Sequence, residues 1–377
     1  MSGPMAHAKL GASSASRWLN CPGSIRMGQN TVERRTSKFA SQGTAAHELG
    51  ELCLETGKNA KDFKGRKLEA DGLTFIVDDD MIDAVQVYVD HVRKVAGDNQ
   101  IDIEVRFDLS WLHPNMFGTN DACVAEEFGD LHVFDYKHGA GVPVDVTNNS
   151  QLLYYGIGRA YDKDRKEWGD FENVHLHIVQ PRCFHPDGVV RTWTVPMSYL
   201  KEFADVLKRG AVATEAPDAP LSAGDHCRWC SAAGFCPELA RQTQAVARAE
   251  FGSPMPEVEK LTTEQISKIV QSESMIKGFL EEVREYALHL KLQGEDLPGL
   301  KLVRKRSSRE WRDEEFVKRS LGKAFPMEKV FNMKMKTVAQ MEKSVGKEGV
   351  KDLFLKVDGD LTVAKTSDRR KAVDLEQ

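Results

Sequence analysis

The stretch "VFDYKHG" at residues 133–139 sets Asp135 and Lys137 one position apart in a run that otherwise reads as a buried strand. Alternation sends Leu131, Val133, Asp135 and Lys137 to one side and His132, Phe134 and Tyr136 to the other, so both charges can reach one ligand. Taken alone, the pair reads more simply as an ion pair on an edge strand. A second carboxylate changes that. "DACVAEE" and "LHVFDYK" flank the turn "FGD" and predict a hairpin. With its turn near residues 128 and 129, Asp121 falls opposite about residue 136, beside Asp135 and Lys137. Neighbouring carboxylates repel unless a cation sits between them, and hard oxygen ligands suit Mg²⁺ or Mn²⁺. Such an ion acidifies a bound water and neutralises charge on a phosphorane while a lysine orients that water, which is metal-assisted phosphodiester hydrolysis.

Other residues carry chemistry at helical or ligand spacing. His47 and Glu51 in "GTAAHELGE" lie one turn apart on a predicted helix, and Gln151 and Tyr155 in "QLLYYG" do the same on another. Glu104, on the strand before the hairpin, is either a further acidic participant or an exposed strand residue. Of seven cysteines, Cys227, Cys230 and Cys236 are clustered as C-x2-C-x5-C, which suggests a metal and needs a fourth ligand from elsewhere. Zinc and a [4Fe–4S] cluster both remain open on spacing alone.

Asp121, "DYK", the His47 helix and the Gln-x-x-x-Tyr of Gln151 and Tyr155 occur in an order that resembles the RecB-like nucleases of the PD-(D/E)XK superfamily. Asp135 stands where that superfamily more often has Glu. The resemblance implies a restriction-endonuclease-like α/β core, a mixed central sheet flanked by helices. It makes Asp121, Asp135 and His47 metal ligands, Lys137 the residue assisting the attacking water, and Gln151 and Tyr155 substrate-positioning residues. One cysteine before the core, Cys21 in "WLNCPGS", and three after it are similar to the iron–sulfur branch that includes AddB and CRISPR-associated nucleases. That likeness implies that Cys21, Cys227, Cys230 and Cys236 hold a [4Fe–4S] cluster, a staple closing a loop of about two hundred residues. Over roughly residues 10–240 the motifs look most like a phage and prophage family often considered recombination exonucleases. DNA is then the implied partner, and a strand-annealing protein a further one.

These residues must be held by a sizeable fold. The chain has 377 residues, 41% hydrophobic and 29% charged, with net charge −5, so any polyanion must meet a local basic surface. No apolar run approaches a membrane span, and the N-terminus lacks a secretion or transit pattern, so a cytoplasmic location is expected, in a bacterial host if the chain is phage-encoded. Patterning predicts helices near 14–27, 42–57, 79–96 and 150–161, and strands at 101–109, 121–127, 131–137, 173–182 and 191–196. This is a mixed α/β core, taken as a domain over 1–245. Residues 246–377 read as mainly helical: Thr262 and Gln265 form a capping box for a helix to about 292, whose stripe reads as core rather than an oligomerising coiled coil. Beyond it Arg304, Lys305, Arg306, Arg309 and Arg312, with Trp311, make a basic patch suited to DNA. The competing expectation is an inactive nucleic-acid-binding or scaffold protein on the same fold.

Overall fold

Residues 78–97 carry their own start and stop signals. Asp78 accepts a hydrogen bond from the Met81 amide, Asp79 and Asp80 follow in the first turn, Arg93 and Lys94 occupy the last, and Gly97 closes it at φ +54°. The computed structural model describes residues 8–29, 38–126, 129–251, 262–301 and 341. In chain order its elements are α1 (Ala15–Asn20), α2 (Ser24–Gly28), α3 (Lys38–Thr56), β1 (Lys67–Ala70), β2 (Leu73–Ile76), α4 (Asp79–Ala96), β3 (Ile101–Asp108), β4 (Phe117–Ala125) and β5 (Leu131–Tyr136). There follow α5 (Ser150–Ala160), β6 (Tyr161–Asp162), β7 (Glu167–Trp168), β8 (Asn173–Val179), β9 (Val190–Pro196), α6 (Met197–Ala213), α7 (Pro237–Phe251) and α8 (Thr263–Leu292).

The central sheet has five strands in the order β3-β4-β5-β8-β9, with β5 and β8 parallel and the other pairs antiparallel. Helix α5 lies on the crossover between the parallel pair, as that connection requires. Alternation fills both faces. Leu131 and Val133 pack with Leu152, Ile157 and Leu200 of α5 and α6, whereas Phe134 and Tyr136 pack with Leu49, Val85 and Val89 of α3 and α4. A mixed sheet covered by helices is the layered core that the sequence patterning led us to expect.

Some elements escaped that patterning. The β1–β2 hairpin turns on Asp71 and Gly72, both at positive φ, the Asp-Gly signature of a tight hairpin. Helix α6 buries Leu200, Ala204, Leu207 and Ala211 at helical spacing directly after Pro196. The short helix expected near 14–27, stopped at Pro22 and Gly23, is α1, which ends before Cys21, and a second short helix, α2, resumes at Ser24. Between them the Gly23 amide donates to Pro220 O at 2.9 Å, and a Cβ on Gly23 would meet Ala219 O at 2.5 Å. The chain forms two compact units, Met1–His289 and Leu290–Gln377. Thr262 and Gln265 do form the reciprocal cap of α8. That helix has no buried residue; Met275 and Phe279 pack partly on the cysteine cluster while Ile266, Val270 and Leu280 stay exposed. No helix among the described residues is long and apolar enough to cross a membrane.

Away from Lys137, imidazoles from α4, β5 and β8 form a chain. His91 Nε2 lies 3.2 Å from His177 Nδ1, His177 Nε2 lies 3.2 Å from His132 Nδ1, and His132 Nε2 lies 3.3 Å from Glu126 Oε1. The carboxylate can only accept, so His132 donates to it, and if the three rings are neutral each can donate toward the carboxylate in turn. Burial, then the neighbouring histidines, pushes His177 down to about 2, and burial also lowers His91 and His132. Since these folded pKa values lie below the unfolded one, their stabilisation is complete above about pH 6.5 and is lost as the pH falls beneath it. The melting temperature should therefore drop between pH 7 and pH 5, with a shallower dependence in His177→Gln, as thermal unfolding across that range would read.

Candidate active site

The site begins where the β4–β5 ladder stops. Its last backbone pair is Ala122 with Phe134, which sets Asp121 opposite Asp135, one position from the expected partner. Beyond that pair side chains replace the ladder: Asp121 Oδ2 accepts from the Tyr136 amide at 2.8 Å, and buried Asn120 donates to Phe134 O at 3.0 Å. The strands thus part around a carboxylate, while β5 stays paired to β8 as far as the Lys137 amide on Val179 O, at 2.9 Å.

On the α5 side, Lys137 Nζ lies 3.0 Å from Asp135 Oδ1 and 2.8 Å from Oδ2. Gln151, one position into α5, is fixed by donor accounting. Lysine can only donate, so Gln151 Oε1 faces Nζ at 2.9 Å, and its Nε2 donates to the Tyr155 hydroxyl at 2.8 Å and toward Asp135 Oδ1 at 3.4 Å. Asn149 makes this possible by capping α5 through the Gln151 and Leu152 amides. Asp135 is 2% exposed, and its Oδ2 has no hydrogen-bond partner despite the nearby ammonium. Burial raises its pKa, Lys137 pulls it down, and Asp121 pushes it up again. Burial, with Asp135 and Asp121 beside it, holds Tyr155 well above the ordinary phenol, so it serves as a neutral hydroxyl.

His47 reaches the same place from α3, with Nδ1 3.4 Å from Asp121 Oδ2 and its ring edge-on to Tyr136 at 5.3 Å. Ligand atoms of His47, Glu104 and Asp121 all lie within 4.8 Å of one another. Sequence reasoning placed Asp135 in the metal set and left Glu104 undecided; the structure gathers Glu104 with His47 and Asp121 and leaves Asp135 on Lys137. Glu104 sits at φ +47° within β3, and the ladder skips it between Ile103–Ala122 and Val105–Asn120. A side chain other than glycine in that region costs about 1–3 kcal/mol, a strain found where geometry serves a site. Burial, then Asp121 and Glu51, pushes Glu104 up to about 8, and burial with Glu55 and Glu48 raises Glu51. Glu104, held back from ionising by burial and its carboxylate neighbours, stands with Asp121 and the His47 imidazole as a donor set that fits a hard dication. Glu104→Gly should match or exceed the melting temperature of Glu104→Ala by relieving the backbone, while both lose bound Mn²⁺, as calorimetric titration would measure.

Cys21, Cys227, Cys230 and Cys236 all line one small cavity, together with Arg17, Met27 and His226. None is in a disulfide. Among the described residues, no three of these sulfurs fall within 4.8 Å of one another. Ser222 donates its amide to Cys21 Sγ at 3.3 Å, and Gly224 to Cys227 Sγ at 3.4 Å. His226, which sequence reasoning passed over although it adjoins Cys227, is pushed up to about 10 by hydrogen bonds to Cys21 and then Cys227.

Also unforeseen were Gln180, Arg182 and Arg191. Their partners lie on the loop after Lys137, so nothing local in the sequence marks them. Arg304, Lys305, Arg306, Arg309, Trp311 and Arg312 lie outside the described residues. A family model described as "Protein of unknown function (DUF2800)" matches residues 7–371.

Proposed function

We propose that this chain, which belongs to the DUF2800 family, is a metal-dependent nuclease on a PD-(D/E)XK-like core that hydrolyses phosphodiester bonds in DNA. The observation that carries this reading is the meeting of two groups at the parted end of β4 and β5: the His47, Glu104 and Asp121 donors, and the Lys137, Asp135 and Gln151 network. Mg²⁺ or Mn²⁺ held by the first group would supply the positive charge needed for attack on phosphorus. Lys137 then orients the attacking water as a hydrogen-bond donor and faces the negative charge that builds on phosphorus. Asp135 and Gln151 fix the ammonium, and Tyr155 fixes Gln151.

Four cysteines around one cavity support a [4Fe–4S] cluster as the second cofactor, with zinc the alternative that metal analysis separates. End-labelled linear and closed circular DNA, incubated with Mg²⁺, Mn²⁺ or a chelator, test the function. The expected result is metal-dependent loss of the linear form with the circle spared, which is exonuclease action. No cleavage with either metal would overturn the reading in favour of a binding or scaffold role.

A further inference from the structure

The loops after β5 and β8 form one rigid wall beside Lys137. Gln180, 1% exposed, uses its whole amide to join them: Oε1 accepts from the Val144 amide and from Arg191 Nη2, both at 3.0 Å, and Nε2 donates to Gly139 O at 3.0 Å and Val142 O at 2.8 Å. Buried Arg191 adds bonds to Val144 O at 2.9 Å and Gly188 O at 2.7 Å. Two groups on this wall present side-chain surface or donors outward that the fold does not use. Phe184 is 87% exposed although its neighbours Cys183 and His185 are each 7% exposed, so the tip of the loop is anchored on both sides and presents the ring to solvent. His185 supplies one anchor through Asp145 Oδ1 at 3.2 Å.

Two residues before Phe184, exposed Arg182 donates Nη1 to His138 Nε2 at 2.6 Å. Arginine can only donate, so His138 accepts there and turns its Nδ1–H to the Tyr136 hydroxyl at 2.8 Å. Tyr136 in turn packs against His47, which places Arg182 a short chain of contacts from the metal donors. No carboxylate among the described residues pairs with Arg182. Most of its guanidinium donors remain available. On the same wall Gly139 and Gly141 have ordinary φ, and a Cβ on either would meet nothing within 4 Å, so neither backbone strain nor internal packing calls for glycine there. Bare backbone facing outward beside Lys137 leaves room for a close-lying strand.

The geometry points to a seat for single-stranded DNA on this wall, with Arg182 binding a backbone phosphate and Phe184 stacking on an unpaired base next to the scissile bond. This rests on the nuclease reading for its location and deepens it by naming the substrate form. An exposed phenyl needs the open face of an unstacked base, which a duplex does not offer, and a guanidinium with free donors matches phosphate. Both residues are specificity determinants that hold substrate rather than take part in bond cleavage.

The test uses full-length protein carrying Lys137→Ala, so that DNA is bound and not consumed, and a fluorescent oligo-thymidine read by anisotropy with Ca²⁺ present. Adding Phe184→Ala should weaken binding about tenfold, with Phe184→Tyr restoring it and a blunt duplex unaffected. Adding Arg182→Gln should weaken binding and reduce the slope of log K against log salt by about 0.7. Parental affinity in both variants would overturn the seat. If the protein with Lys137 intact cuts DNA yet these variants bind normally, the nuclease stands and the seat falls. If the variants lose binding but the protein with Lys137 intact cuts nothing, the seat stands and the nuclease falls.

Discussion

Lys137→Met is expected to lower metal-dependent DNA cleavage by about 10²- to 10³-fold, the usual loss when a donor positioned on the reacting atoms is removed. The same change strands Asp135, whose only remaining contact within the network is Gln151 Nε2 at 3.4 Å. A buried acceptor left unsatisfied costs about 1–3 kcal/mol, so the melting temperature should fall as well. Two companion variants separate chemistry from support. Lys137→Arg keeps a cation beside Asp135, so stability should hold, but its planar fork cannot place a compact charge on the attacking water, so activity should fall. Adding Asp135→Asn to Lys137→Met removes the stranded charge, so stability should recover in part and activity should not. Single-turnover cleavage with thermal unfolding reads both quantities. A Lys137→Met protein that cuts at the parental rate would remove the ammonium from the reaction.

How far the sequence spoke for this site depended on whether each relation was local. Asp135 and Lys137 share a face because a strand alternates, and the turn between β4 and β5 brings Asp121 back to them; both follow from residues close in the chain. The partner was misjudged by one position because the hairpin turn fixes the register, and a one-residue error in the turn centre moves every pairing. Gln151 and Tyr155 were legible as one helical turn, although the bond between them, and the link to Lys137, needed the crossover helix in place. Glu104 was ambiguous for a different reason. Nothing in its residue type announces a positive φ within a strand, and that turn of the backbone sets it with His47 and Asp121. Helix α6 carries its apolar spacing in plain view, with Leu200, Ala204, Leu207 and Ala211 on one face, so it was legible from the sequence. Gln180 and Arg182 bond across 41 and 44 positions to backbone and imidazole partners. Contacts of that kind leave no pattern for periodicity to detect.

Cys21→Ser should remove a bound cluster and loosen the whole first unit, because this cysteine is the one ligand candidate supplied from the N-terminal side of the sheet. In the chain-entropy picture a link between Cys21 and the Cys227 segment withdraws about 5 kcal/mol of freedom from the unfolded chain. The measured loss should be smaller, since the Gly23 amide still holds Pro220 O at 2.9 Å and keeps the two segments together without any metal. Protein purified without oxygen should be brown and contain iron and sulfide; Cys21→Ser should be paler, melt lower and be cut by protease between Pro217 and Cys236, where the segment depends on the cavity. Substitution at Cys230, which is buried in the same cavity, should give the same colour loss, whereas Cys183→Ser, on the loop after β8, should keep both iron and colour. A colourless parent containing one zinc would assign the cavity to zinc, and a Cys21→Ser protein that retains iron, colour and melting temperature would show that the fourth thiolate comes from elsewhere.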